Sequence, residues 1–90
     1  MSDEAVVNEV AEQAKVKVLV KVNRQDVELR GREVTGLEIK EAAIVQGVKI
    51  DLGFRLSHRT GHKWVPVADD ERIKIHKGEE FRARTPEENS

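Results

Sequence analysis

Cysteine is absent from the 90-residue chain, so disulfides, thiolate metal sites and every mechanism that needs a thiol nucleophile are excluded. Aromatic residues are nearly absent as well. Phe54, Phe81 and Trp64 are all there are, and Val, Ile and Leu must supply most of the buried area. No stretch approaches the ~18 apolar residues of a transmembrane helix, and no membrane partner is expected. The opening MSDEAVVNEVAEQA lacks the basic and apolar regions of a secretory signal, which makes a cytoplasmic location the expectation.

What is present is charge. Ninety residues with 37% charged side chains make one small domain with a heavily charged surface. The net charge of −1 conceals a segregation: residues 1–14 carry Asp3, Glu4, Glu9 and Glu12, residues 85–90 carry Glu87 and Glu88, and neither end has a base. Between them, 11 acids face all 16 bases, an excess of about five positive charges. Acidic ends that keep the protein soluble are one reading of this pattern. A basic surface for an acidic partner or a nucleic acid is the sharper one.

Periodicity divides the chain. Residues 1–15 place Ala and Val at loosely helical spacing without a strong cap or much bulk, and read as a flexible acidic arm. From Lys15, KVKVLVKV alternates with period two, which puts Val16, Val18, Val20 and Val22 on one face and Lys17, Leu19 and Lys21 on the other. Leu19 is thus an apolar residue on a wet face. NRQD reads as a turn, and VELR resumes the alternation with Val27 and Leu29 inward, completing a hairpin. TGLEIKEAAIVQG follows, with Thr35 and Glu38 spaced as a capping box and Gly47 as a left-handed stop. The helix between them gathers Ile39, Ala42, Ala43 and Gln46 on one side, with Leu37 and Ile44 nearly opposite. Beyond it, Ile50 and Leu52 look strand-like, Phe54 and Leu56 alternate inward, and a turn centres on Gly61. WVPV reads as a short edge strand because Pro66 cannot donate to a ladder. Ile73 and Ile75 read inward, and after Gly78 a last strand carries Phe81 and Ala83 on one face.

A hairpin, one helix and further short strands must bury one helix stripe against one face of one sheet, an α+β two-layer solution. The β-grasp arrangement satisfies it: a mixed sheet of four to five strands, first and last strands adjacent at its centre, the helix packed across. The pieces VTGLEIKEAA, GFRLSHRTGHKWVPVADDERIKIHKGEEFRA and the span of about residues 16–84 resemble the bacterial multiubiquitin family, ubiquitin-like domains found singly or in tandem. The expected division is an arm over 1–15, a ubiquitin-like domain over 16–84 and a flexible tail over 85–90.

The resemblance implies a protein modifier, activated at its C-terminal carboxylate and transferred to target proteins. Its partners would be ubiquitin-activating-like and conjugating-like enzymes and a deubiquitinase-like peptidase, with stress or antiphage defence as the setting. Such chemistry needs a narrow, flexible tail that threads into an adenylate-forming site. Ubiquitin has two terminal glycines there. Here no glycine follows Gly78, and Arg84, Thr85, Pro86, Glu87, Glu88, Asn89 and Ser90 form the conjugation or processing tail. The tail is then a precursor extension to be trimmed, a handle used as it stands, or the end of a non-conjugated binding module or adaptor.

No other constellation rises above its structural explanation. His58 and His62 flank a glycine turn and read as exposed turn histidines, and Asp69, Asp70 and Glu71 read as a solvated acidic turn, so neither a metal nor another cofactor is expected. No phosphate loop, GxSxG elbow or paired catalytic carboxylates can be assembled, and the chain does not read as an enzyme. Arg55, Arg59, Lys63, Arg72, Lys74 and Lys77 form the basic footprint a nucleic-acid binder would need, yet aromatic residues for stacking are scarce. Leu19, Leu37, Ile44 and Trp64 are the candidate partner surface, each with a packing role as its alternative.

Overall fold

The computed structural model describes residues 16–86, so the expected arm and the tail residues Glu87, Glu88, Asn89 and Ser90 lie outside the described residues. Along the chain run β1 (Lys17–Val22), β2 (Gln25–Arg30), β3 (Glu33–Thr35), α1 (Gly36–Val45), β4 (Arg55–Thr60), β5 (Lys63–Val67), β6 (Arg72–Lys74) and β7 (Glu80–Arg84). The alternation expected in β1 holds: Val18, Val20 and Val22 are buried, and Lys17, Leu19 and Lys21 are exposed. The turn after it is tighter than NRQD suggests. Asn23 and Arg24 alone make it, with φ of 51° and 70°, the left-handed pair that matches the twist of a two-residue hairpin.

Five strands form one sheet in the order β2-β1-β7-β4-β5, with β1 and β7 parallel at its centre and the other neighbours antiparallel. With α1 packed on one face, this is the β-grasp α+β arrangement. β3 and β6 form a separate antiparallel ribbon that pairs Val34 with Ile73. The ribbon went unpredicted because three residues per strand are too few for period two to show. Pro66 sits in β5 on the sheet edge, where its missing N–H costs no ladder bond.

The core lies between α1 and the sheet. Phe81, Leu29, Ile39, Val20, Val22 and Val27 are its largest fully buried side chains, and burying each stabilises the fold by about 1.5–3 kcal/mol. Phe81 and Ala83 reach it from β7, and Leu56 from β4.

The start of α1 is firmly tied. The Glu38 N–H donates to Thr35 Oγ1 (3.1 Å) and the Thr35 N–H donates to Glu38 Oε1 (2.8 Å), closing the capping box. The N–H groups of Gly36 and Leu37 donate to the carbonyls of Glu71 (3.2 Å) and Asp69 (3.1 Å). Such an approach needs a glycine: a Cβ at position 36 would run into the Ala68 carbonyl. At the other end, Gly47 with φ of 100° lets the Val48 N–H return to the Ala43 carbonyl at 2.9 Å.

Two expectations about packing are corrected. Gln46 does not join Ile39 and Ala43 in the core. Its amide donates to the Glu28 carbonyl and accepts from the Glu28 N–H, both at 2.8 Å, which occupies backbone groups on the free edge of β2. Nor do Ile50 and Leu52 build a strand, since residues 48–54 form a loop in which Leu52 is 45% exposed. The buried Lys40 organises that loop. Its ammonium donates to the carbonyls of Leu52 (2.6 Å) and Phe54 (2.9 Å) and pairs with Asp69 (2.6 Å), filling its three donors.

Candidate functional site

The last strand and the surface beside it carry most of the chain's concentrated chemistry. Alternation in β7 sends Phe81 and Ala83 to the core and Glu80, Arg82 and Arg84 to the opposite face. Asn23 fixes the end of this strand. Its N–H donates to the Phe81 carbonyl (3.0 Å), its Nδ2 donates to the Ala83 carbonyl (3.1 Å), and its Oδ1 accepts from the Ala83 N–H (2.9 Å). The side-chain amide thus continues the parallel ladder past the end of β1, to one residue before Arg84. Thr85 is half-buried and Pro86 is exposed just beyond the strand.

The outer face of the sheet, away from α1, is patterned by register. Lys21 pairs with Asp26 at 2.8 Å, and Arg59 pairs with Glu80 at 2.6 Å. The Asp26 carboxylate, through its hydrogen bond and its charge, raises the Lys21 ammonium above its ordinary value. Arg55 stands directly opposite Arg84, and Lys17 opposite Arg30, two like-charged pairs on neighbouring strands. Arg82 faces the small Ser57 across the ladder, and its guanidinium carbon lies 4.0 Å from the centre of the Trp64 ring on β5. A shallow groove of about 810 Å³ runs here, lined among others by Arg24, Arg59, His62, Trp64, Arg82 and Arg84, with Thr85 at its margin.

The four candidate surface residues do not converge. Leu19 and Trp64 share the outer face but sit on β1 and β5, three strand spacings or roughly 14 Å apart. Leu37, half-buried, and Ile44, 37% exposed, lie on α1 across the sheet. Of the tail, Arg84 closes β7, and Thr85 and Pro86 follow it. The groove around Trp64 and Arg82 was missed by sequence reasoning. Its only signal was the run of Arg at alternate positions 82 and 84 beside an otherwise lone Trp.

The two turn histidines divide, His62 being exposed in the turn as expected. His58 is not an exposed turn residue. It lies in β4 on the core side, half-buried, stacked on Phe81 with ring centres 4.7 Å apart. Its Nε2 faces Glu79 Oε2 at 3.3 Å, and His76 Nδ1 lies 3.2 Å from the other carboxylate oxygen. Among the described residues, no three His, Cys, Asp or Glu side chains converge as a metal site. No helix among them is long and apolar enough to cross a membrane.

No curated protein and no solved structure matches the chain. The family model for multiubiquitin matches residues 18–86, from within β1 to Pro86 beyond β7. With its helix on a mixed five-stranded sheet and a match over most of its length, the chain belongs to the multiubiquitin family of ubiquitin-like proteins.

Proposed function

We propose that the protein is a ubiquitin-like modifier of a bacterial ubiquitination-like pathway, activated and conjugated through its C-terminal carboxylate, with or without proteolytic trimming of residues 85–90. The observation that carries this reading is the multiubiquitin match, which runs past the last strand to Pro86. The anchoring of β7 supports it. Asn23 holds the strand at Ala83, so that a pull on Arg84 and Thr85 during transfer meets hydrogen-bonded ladder before it reaches the core. The protein acts as the substrate of its enzymes and is not one itself. Its partners in this reading are an activating-like enzyme, a conjugating-like enzyme, a deubiquitinase-like peptidase and the target proteins, in the cytoplasm, with antiphage defence as the process.

The chemistry is that of carboxyl activation. The C-terminal carboxylate attacks the α-phosphate of ATP and pyrophosphate leaves; a thiol of the activating enzyme then takes the acyl group from the adenylate, releasing AMP, and an amine of the target finally takes it from the thioester, freeing the thiol. A second reading, a non-conjugated binding module, is favoured by the built groove at Trp64. Intact-mass analysis after co-expression with the activating and peptidase-like enzymes separates the two. The modifier reading expects a shortened C-terminus or an adduct joining this chain to another protein. An unchanged full-length mass with every enzyme active leaves the binding module.

A further inference from the structure

We infer that the groove around Trp64 and Arg82 is a docking site for a glutamate- or aspartate-rich segment of a partner protein. Three independent features of the groove point to an anionic occupant. The first is like charge held face to face at the end of the groove: Arg84 lines it, its cross-strand partner Arg55 lies beside it, the pairing costs stability in the free protein, and no described carboxylate pairs with either. A carboxylate laid between them removes that cost. The second is Arg24, which holds a left-handed φ of 70° although it is neither Gly nor Asn, and which lines the same groove. Glycine is the favoured residue at that turn position, so the side chain is kept at the expense of backbone strain. The third is the packing of Arg82 on Trp64 at 4.0 Å, which holds one face of the guanidinium on an aromatic plane and leaves its edge N–H groups to meet a carboxylate in bidentate fashion.

The face also selects among anions. Glu80 lies in the groove, and Asp26 and Glu28 stand farther along the same face, so a continuous phosphate backbone would meet negative charge at intervals. A peptide, whose carboxylates alternate with uncharged residues, avoids them. One face of the single indole is already covered by Arg82, which removes that face as a platform for base stacking. Docking of this kind does not require the tail to be conjugated, and it holds for a binding module equally well.

Trp64 is the only tryptophan, so its fluorescence reports on the groove directly. The test titrates the full chain at low salt with a twelve-residue glutamate peptide, a glutamine peptide of equal length and a single-stranded oligodeoxynucleotide of equal charge, with calorimetry run in parallel. The glutamate peptide is expected to bind saturably, to weaken as salt rises, and to outcompete both controls. Arg82→Gln should weaken it by about tenfold, and Lys17→Gln, at the far end of β1, should leave it unchanged. Arg24→Gly is the decisive variant. It should raise Tm by about 4 °C and still weaken binding by about threefold, which no purely structural role for Arg24 explains. Absence of binding by both methods, tighter binding of the oligonucleotide, or an Arg24→Gly affinity equal to the parent would overturn the inference.

Discussion

Asn23 and Lys40 show how single polar side chains substitute for backbone in this small protein. Asn23 supplies β7 with the donor and acceptor that a longer β1 would have given. Asn23→Gly keeps the left-handed turn and deletes only those two bonds, so we expect a loss of about 2 kcal/mol in denaturant melts. Amide exchange at Ala83 should speed up ahead of the rest of the sheet, and exchange that stays uniform would deny Asn23 its role at the strand end. Lys40 gathers two loop carbonyls and Asp69 under α1, with its side chain only 4% exposed. Lys40→Ala should cost about 3 kcal/mol, because the carbonyls of Leu52 and Phe54 lose a charged donor. A melt within 0.5 kcal/mol of the parent would mean that water replaces the ammonium freely.

At the scale of elements, the close contact between α1 and the 68–71 turn is the most demanding piece of geometry. Gly36→Ala places a methyl group against the Ala68 backbone, and overpacking of this kind costs about 2 kcal/mol even though alanine is the better helix former. A gain in stability would show that the turn yields. The helix itself was legible from Thr35, Glu38 and Gly47, and β1, β2 and β7 from Val and Phe at alternate positions, because each signal is local. What was not legible depended on pairing between distant segments. The β3–β6 ribbon appears only when Val34 meets Ile73, and residues 48–54 leave the sheet because Lys40 takes their carbonyls. The groove failed to show for the same reason: Arg82 reaches Trp64 over Ser57, a geometry set by strand order and register and by no single stretch of sequence.

For the whole molecule, a domain of this size has of the order of 5 kcal/mol of stability to lose. Phe81, the largest of the fully buried side chains, sits on β7 only three residues before Arg84. Phe81→Ala, at about 3–5 kcal/mol, should therefore unfold most of the population at 37 °C, read as loss of the cooperative thermal transition. The strand that leads to Thr85 and Pro86 is thus also the strand that holds the core together. On the other side of the sheet, Ile44 and Val45 leave α1 with exposed apolar residues that no described element covers. The central claim concerns the tail itself. Tandem mass spectrometry of the protein recovered after reaction with the proposed activating-like and conjugating-like enzymes and ATP tests it most directly, by sequencing the peptide that contains Arg84. The modifier reading predicts a branched peptide in which a carboxyl group from within residues 84–90 is joined to a lysine of another protein. Recovery of every such peptide as a linear chain ending at Ser90, with the enzymes active on ATP, would contradict it.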